Sequence, residues 1–345
     1  MEVITIKSFK KTVCMLLVLF LIIYLTLNSI YDKDTFNTMI HGFKDLNIYY
    51  IGIATLLMVI CFLLYGYYYT YTFKIFNVDV KLPKGVFYAM VEFYFSGITP
   101  SATGGQPVQM YYMTKDKIPI KNSYIALIVN TLYFKIAIIF LGILVLIFKN
   151  NIITSFKPVH IGFIYFGLIC DFLFCILLLL FLFNRKLIKK CLEWIFKFFR
   201  ILNVFKKYTE KNIDDILGDY QEDINKLVDN KWKMNNSLIL VFILRVINFS
   251  IAYVVYKGLG LSGYSYLDLL AIQISVQLAI EMVPIPGGSY VSEKMFFYIF
   301  SIVFSTAFAS LGMLLTRAFI FYIPIILFGI IIFIYNIVNK VKDFF

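Results

Sequence analysis

Long apolar runs recur along this chain at a length that matches the thickness of a lipid bilayer. The most regular of these runs are Ile48–Tyr71, Ser123–Phe148, Ile161–Phe183 and Ser237–Tyr256. A helix needs about 20 consecutive apolar residues to cross the hydrocarbon core. Only 15% of the residues are charged and 61% are hydrophobic, whereas soluble domains carry roughly 25% charged residues. We therefore expect an all-α integral membrane protein.

Further apolar runs differ from these in length or in how they end. Thr12–Ile30 predicts an uncleaved first span, because no small-residue cleavage site of a signal peptide follows it. Met295–Met313 and Ala318–Val338 predict two spans near the C-terminus. Gly85–Ile98 and Tyr266–Val283 are short or end in a break. In total we predict about seven or eight membrane segments, two of them broken or re-entrant.

A charged segment divides the chain into two halves. We treat residues 1–345 as a single polytopic domain with a first half 1–183, a basic segment 184–236 and a second half 237–345. The middle segment places apolar residues such as Leu187 and Trp194 among lysines. This mixture is typical of amphipathic helices that lie on a membrane surface.

Lysine and arginine positions predict the orientation of the chain. The N-terminus, the stretch 74–121 and the segment 184–236 are basic and should be cytosolic, while loops 32–45 and 149–160 should be external. The C-terminal tail would be internal if Tyr266–Val283 crosses the membrane and external if that segment only dips in. The abundance of Ile, Phe, Tyr, Lys and Asn suggests an AT-rich bacterial genome. We therefore expect the protein to lie in a bacterial cytoplasmic membrane.

Several classes of functional site have no support in the sequence. The only histidines are His41 and His160, and the five cysteines form no C-x-x-C pair. We therefore expect neither a metal site nor another cofactor. The net charge of +12 comes from basic loops between spans, which is the pattern of membrane topology and not of nucleic-acid binding.

Two breaks in apolar segments have the same composition: an acidic residue, then proline and a glycine pair. The first consists of Glu92, Pro100, Gly104, Gly105 and Gln109, and the second of Glu281, Pro284, Pro286, Gly287, Gly288 and Glu293. Proline removes a backbone donor, and unpaired backbone groups are tolerated at membrane depth only inside protein or beside water. Similar breaks in two halves of a chain point to an inverted repeat around a central transport site. The alternative is that both are ordinary turns between helices.

Charged residues also fall within the apolar runs. Each such charge costs roughly 2.5–3.5 kcal/mol at the bilayer centre on insertion scales. We expect Asp171 to pair with Lys135 or Arg245. Arg317 either reaches towards the membrane interface or binds an anionic lipid headgroup.

At the level of motifs the chain resembles a known family. The stretches TPSATGGQPVQ at Thr99–Gln109 and VPIPGGSYVSE at Val283–Glu293, with Arg317 and Pro324, carry this similarity. They resemble the membrane region, also described as flippase-like, of the lysylphosphatidylglycerol synthase family. The similarity extends over nearly the whole chain.

This resemblance implies a function in lipid handling. In full-length members the membrane part moves an aminoacylated lipid, and a C-terminal cytosolic domain transfers lysine from lysyl-tRNA to phosphatidylglycerol, which confers resistance to cationic peptides. The chain stops soon after its last apolar run, so we expect the synthase domain to be absent. The expected partner is a phospholipid, anionic or aminoacylated, bound at the two breaks and Arg317. A second copy of the chain or a separate synthase are further expected partners.

Two other functions are consistent with the same resemblance. One is a phosphatidylglycerol lysyltransferase, which would bring a nucleic acid, lysyl-tRNA, to the protein. The other is an accessory membrane subunit of cell-envelope synthesis.

Overall fold

The computed structural model describes residues 46–99, 102–201, 220–280 and 289–342, which form helices and contain no strand. The predicted span Thr12–Ile30 lies outside this part of the chain. The helices are α1 (Ile48–Phe73), α2 (Leu82–Ile98), α3 (Gly105–Lys115), α4 (Ile120–Phe148), α5 (Asn150–Thr154), α6 (Pro158–Phe183), α7 (Arg185–Ile201), α8 (Tyr220–Asp229), α9 (Lys231–Gly258), α10 (Tyr266–Ile280), α11 (Ser289–Phe300), α12 (Ser305–Arg317) and α13 (Ile323–Lys342).

Among the described residues, five helical stretches are long and apolar enough to cross a membrane. Four of them are α1 with the 3₁₀ turn that follows it, α4, α6 and α9, and the fifth is Phe308–Val338. Large apolar side chains point away from the bundle, as Phe166 and Leu173 of α6 do, with 60% and 58% of their surface exposed. Lipid is the solvent that such surfaces require. The prediction of an all-α, multi-pass membrane protein is confirmed.

The segment predicted to dip into the membrane in the first half forms a hairpin of α2 and α3. Helix α2 has 17 residues and is therefore only about 25 Å long. Its first turn meets the end of α3, where Lys84 Nζ lies 2.6 Å from Asp116 Oδ1. Both ends of the hairpin thus lie at the same face of the bundle, which we call the Lys84 face.

The second half contains a corresponding hairpin of α10 and α11, which enters from the opposite face. Tyr264, just before α10, donates a hydrogen bond to the carbonyl of Ile302, just after α11, at 3.1 Å. The ring of His160, at the start of α6, stacks on Tyr298 of α11 at 5.4 Å. We call this side of the bundle the Asp268 face, after the aspartate in the first turn of α10.

The C-terminal part differs from the two predicted spans Met295–Met313 and Ala318–Val338. Helix α11 ends at Phe300, and α12 continues through a π-helical turn, Ala318–Tyr322, into α13. Arg317 does not interrupt this helix, because its side chain is buried and lies over aromatic rings. One span therefore replaces two, and α13 ends at the Lys84 face.

Helices α1 and α9 form the most extensive interface of the described residues and run antiparallel. At one end, the Asn47 amide donates to the carbonyl of Gly258 at 3.2 Å. At the other end, the hydroxyls of Thr72 and Ser237 lie 3.2 Å apart. Each of these two helices precedes the hairpin of its own half. An antiparallel arrangement of two such helices is the geometry that an inverted repeat produces.

The remaining packing between the halves follows the same symmetry. The glycine pairs of the two breaks are separated by 183 positions. Helix α4 packs on α10 where Gly142 meets Leu278, and α2 packs on α13 where Gly97 meets Ile325. Adding 183 to position 142 gives 325, and subtracting 183 from position 278 gives 95. The first of these is Ile325 itself, and the second is two residues from Gly97. The two halves thus exchange equivalent contacts, as expected for an inverted repeat.

The charged segment between the halves contains the surface helices α7 and α8. Tyr220 of α8 donates to the carbonyl of Leu182 at 2.5 Å, and the buried Asp223 lies 3.2 Å from Lys121 Nζ. Hydrogen bonds from Lys226 to Glu222 and then to Asp223 raise the pKa of Lys226. Helix α9 begins at Lys231 and not at the predicted Ser237. The prediction followed the apolar run, whereas the first turns of the helix contain polar residues that precede this run.

Candidate functional site

Glu92 lies on the apolar helix α2, ten residues after its first residue. This position is about 15 Å along the helix from the Lys84 face. Its carboxylate accepts a hydrogen bond from the Tyr65 hydroxyl at 3.2 Å and is 3.5 Å from the Ser96 hydroxyl. The Glu92 side chain remains partly exposed. A carboxylate therefore lies inside the bundle and makes its hydrogen bonds to protein groups.

The hydrogen bonds around Tyr65 have a defined direction. Its oxygen accepts from Asn130 Nδ2 at 2.9 Å and from the Tyr69 hydroxyl at 3.3 Å. The phenol has one proton, which is directed to Glu92. The network therefore holds Glu92 as an acceptor and joins α1, α2 and α4 at one point.

The tyrosine-rich end of α1 is typical of a membrane interface by sequence, but the structure differs. Tyr68 and Tyr69 are 1% and 0% exposed, whereas Tyr67 is 44% exposed. The helical period turns the first two towards the bundle and Tyr67 outwards. Sequence reasoning missed Tyr65 and Asn130, although an asparagine inside an apolar run was a usable signal.

The backbone of the first break is held by short side chains. The Thr99 hydroxyl donates to the carbonyl of Phe95 at 2.6 Å and accepts from the amide of Gly104 at 2.9 Å. The Ser96 hydroxyl is 3.4 Å from the carbonyl of Ala102. Polar backbone groups that the break leaves unpaired in α2 thus find partners within the protein, as membrane depth requires.

Glycine at the start of α3 allows this helix to touch α2. A Cβ on Gly105 would lie 2.0 Å from the Ser96 hydroxyl and 2.7 Å from the carbonyl of Glu92. A Cβ on Gly104 would lie 2.6 Å from Thr99. The glycine pair therefore brings the N-terminus of α3 directly against the residue that carries the carboxylate.

Two glutamines of α3 extend the polar region. Gln106 donates to the Thr131 hydroxyl of α4, and both side chains are partly exposed. Gln109 is fully buried and donates to the carbonyl of Tyr88 at 3.1 Å. Gln109 was a predicted site residue, and the structure places it within the hairpin. Gln106 and Thr131 are additional polar residues beside the break.

Arg245 of α9 brings a positive charge from the second half. Its guanidinium carbon lies 4.8 Å from the ring centre of Phe134 and 5.8 Å from that of Phe249. A positive charge from the second half thus lies beside Phe134 of α4, the helix that also carries Asn130.

Arg317 lies beside the π-helical turn in the second half. Its side chain is 5% exposed, and its guanidinium carbon is 4.5 Å from the ring centre of Phe321 and 5.2 Å from that of Phe296. Phe321 in turn is 6.2 Å from Phe93, the neighbour of Glu92. Cation–π contacts thus hold Arg317 behind the aromatic residues that line the first hairpin.

Lys135 and Asp171 form an ion pair between α4 and α6. Lys135 Nζ lies 2.6 Å from Asp171 Oδ1, and the aspartate is fully buried. Lys135 also lies over the Phe174 ring at 5.7 Å. The structure thus places Asp171 with Lys135, while Arg245 contacts the neighbouring Phe134.

Comparison with known families agrees with this architecture. The family model described as Lysylphosphatidylglycerol synthase TM region matches residues 12–327. The chain belongs to this family. The resemblance seen in the sequence motifs is confirmed, and the protein is a multi-pass membrane protein of a family linked to lysylphosphatidylglycerol. Comparisons with curated proteins and with solved structures gave no match.

Part of the predicted site of this family member lies outside the described residues. Glu293 falls within α11, and the structure brings Glu92, Gly104, Gly105 and Gln109 together in the first hairpin. Among the described residues, no group of three His, Cys, Asp or Glu side chains is arranged to hold a metal ion. The predicted site residues that lie outside the described part of the chain are Pro100, Glu281, Pro284, Pro286, Gly287 and Gly288.

Proposed function

We propose that this chain binds a polar phospholipid and moves its headgroup across a bacterial cytoplasmic membrane, with its N-terminus in the cytosol. Membership of the Lysylphosphatidylglycerol synthase TM region family supports a lipid ligand. In the described part of the chain, five candidate spans and two hairpins that enter from opposite faces are an arrangement typical of transport proteins built from inverted repeats.

The observation that carries the proposal is the Glu92 carboxylate, which lies inside the bundle and is held by Tyr65 beside the break that follows α2. A charge in the hydrocarbon is costly, so intramembrane carboxylates usually face a polar pathway. A lipid headgroup is a polar group that must cross this same region. The Glu92 region therefore provides a place where the headgroup would be solvated by protein on its way across.

The charges of the site suit an aminoacylated headgroup. Its ammonium group would bind the Glu92 carboxylate, and the guanidinium of Arg245, which is partly exposed, would bind its phosphate. Arg317 would reach the phosphate only after the aromatic rings over its guanidinium move aside. Arginine is well suited to phosphate because its donors are planar and permanently charged. The acyl chains would stay in the bilayer, outside the bundle.

The proposal is tested by measuring lipid exchange between leaflets. The purified protein is reconstituted into liposomes that contain headgroup-labelled phosphatidylglycerol or lysylphosphatidylglycerol, and outer-leaflet label is removed chemically over time. Glu92→Gln should slow exchange by about tenfold or more, because a hydrogen bond to a charged group contributes about 1.5–3 kcal/mol. Glu193→Gln, on the surface helix α7, should leave the rate unchanged.

Two outcomes would contradict the proposal. If the parent protein exchanges neither lipid faster than protein-free liposomes, the transport function is wrong. If Glu92→Gln exchanges lipid at the parent's rate, the headgroup passes elsewhere. The same assay tests the second break through Glu281→Gln and Gly287→Leu, at residues outside the described part of the chain, and both should abolish exchange.

A further inference from the structure

A polar contact joins the two halves at the Asp268 face. Lys149, at the end of α4, places its Nζ 2.8 Å from Oδ1 of Asp268, in the first turn of α10. The other carboxylate oxygen, Oδ2, accepts from the amide of Ser265 at 2.8 Å and from its hydroxyl at 2.7 Å. Asp268 therefore both caps α10 and ties the second hairpin to the first half.

A second polar contact joins the halves at the Lys84 face. Lys84, in the first turn of α2, donates to Asp116 at 2.6 Å and to the Tyr335 hydroxyl of α13 at 2.9 Å. Tyr88 fixes the other oxygen of Asp116 at 2.7 Å. The first hairpin is thus tied to the last span of the second half.

The two contacts occupy equivalent places in the inverted repeat. The shift of 183 that relates the glycine pairs of the two breaks converts position 268 into 85 and position 149 into 332. These positions are adjacent to Lys84 and within one helical turn of Tyr335. Each hairpin is therefore tied by its first turn to the span that follows the hairpin of the opposite half, and the two contacts lie at opposite faces.

The packing between the two contacts consists of glycine against apolar side chains. A Cβ on Gly142 would lie 2.7 Å from Leu278, and one on Gly329 would lie 2.7 Å from Tyr94. Packed helices with such smooth surfaces can shift relative to each other by small sliding motions. The polar contacts at the ends are then the specific bonds that such a motion must break.

We propose that the Lys149–Asp268 and Lys84–Tyr335 contacts are two latches, meaning bonds that block the path of a ligand to the Glu92 region. Each latch blocks the path from its own face. Release of either one admits ligand from that face alone. The inference rests on the proposed transport function. Both latch contacts are formed in this structure. Transport then requires the latches to open in turn.

The latches are weak enough to open thermally. The side chains of Lys149 and Asp268 are 26% and 16% exposed, so this ion pair contributes modestly to stability. The Lys84 side chain is 40% exposed and Tyr335 is partly exposed, and the net contribution of one such hydrogen bond is about 0.5–1.5 kcal/mol. A single substitution should therefore shift the population between open and closed states without unfolding the protein.

The test uses a cysteine at Ser96, beside Glu92, in a background without the native cysteines. A membrane-impermeant maleimide is added to intact cells or to inside-out vesicles, and the rate of labelling is measured. Lys149→Gln should raise labelling from the Asp268 face about two- to fivefold, and Tyr335→Phe should do so from the Lys84 face. The matched controls are Lys257→Gln, whose ammonium lies over rings of its own helix α9, and Lys74→Gln, at an exposed position. They lie at the Asp268 face and the Lys84 face, and they should change neither rate.

A cross-link provides an independent measurement. In the same background with Ser96 retained, cysteines at positions 149 and 268 are joined by a short, reducible bifunctional reagent, which should stop lipid exchange until the bond is reduced. Continued exchange in the cross-linked protein would overturn the latch at this face.

The labelling outcomes separate the latches from transport itself. If either latch variant raises labelling from both faces equally, or from neither face, the latches are wrong even when the parent exchanges lipid. If labelling shifts to one face but the parent exchanges no lipid, the latches stand and the proposed transport function is wrong.

Discussion

Tyr65 donates its only hydroxyl proton to Glu92 across the interface of α1 and α2, with 3.2 Å between Oη and Oε2. The same oxygen accepts from Asn130 on α4. One phenol therefore sets the position of the carboxylate in the first hairpin relative to a full span. The geometry of the proposed headgroup site therefore depends on Tyr65.

Replacing Tyr65 with phenylalanine should affect both stability and transport. The substitution removes a donor to Glu92 and leaves the Asn130 amide and the Tyr69 hydroxyl without this acceptor. The loss of buried hydrogen bonds should cost about 1–3 kcal/mol, and lipid exchange should slow. Thermal unfolding in detergent and the liposome assay measure the two effects.

The matched control is Tyr67→Phe, since Tyr67 is 44% exposed and lies on the outer side of the same helix. It should change neither quantity. Equal behaviour of the two variants would show that the Tyr65 network does not hold the site.

The sequence predicts the spans of this protein well and the polar site only in part. Apolar length alone identifies α4 and α6, and proline with glycine identifies the break after α2. It does not reveal that Arg317 lies within a helix, because the aromatic rings that bury its charge come from α11 and the π-helical turn. Nor does it reveal Tyr65, since a tyrosine near the end of a span has the same composition whether it faces lipid or protein.

Glycine spacing in α6 predicts a difference between two alanine substitutions. A Cβ on Gly167 would lie 1.9 Å from the carbonyl of Leu278, whereas one on Gly162 would meet nothing within 4 Å. Gly167→Ala should therefore destabilise the protein by about 1–3 kcal/mol through overpacking. Gly162→Ala should be neutral or slightly stabilising, because alanine favours helix. Unfolding measured in mixed micelles tests both, and equal stabilities would contradict the close packing of α6 on α10.

The ion pair between Lys135 and Asp171 predicts a non-additive result. Lys135→Met leaves a carboxylate in a fully buried position and should cost about 3–5 kcal/mol. The double variant Lys135→Met with Asp171→Leu removes both charges and should recover most of that loss. A double-mutant cycle of unfolding free energies gives the coupling. Additive effects of the two substitutions would show that the pair contributes no specific interaction.

The two faces of the bundle predict opposite labelling of two loops. Lys117 follows α3 at the Lys84 face, and Lys157 precedes α6 at the Asp268 face. Because basic loops remain in the cytosol, a cysteine at Lys157 should react with an impermeant reagent in intact cells, while one at Lys117 should react only in inside-out vesicles. Two further positions lie outside the described residues: a cysteine at Asp34 should react in intact cells, and one at Asp215 should react only in inside-out vesicles. The reverse pattern would invert the whole orientation.

The outward side of α7 predicts contact with an anionic membrane surface. Lys186, Lys190, Trp194 and Lys197 are exposed and recur at three- and four-residue spacing, so they share one face of the helix. The opposite side carries Ile188, which is fully buried in the bundle. Tryptophan is enriched at the membrane interface, and each basic residue near an anionic leaflet gains about 1 kcal/mol.

This contact can be measured through Trp194 in a Trp232→Phe background, because the chain has only these two tryptophans. In nanodiscs with brominated lipids, quenching of Trp194 should increase with the fraction of phosphatidylglycerol and decrease at high salt. Replacing the three lysines with glutamine should remove this dependence, since the attraction is electrostatic. Lys74→Gln and Lys81→Gln, at exposed positions outside α7, should preserve it. Quenching that ignores lipid charge in the parent protein would place α7 away from the leaflet.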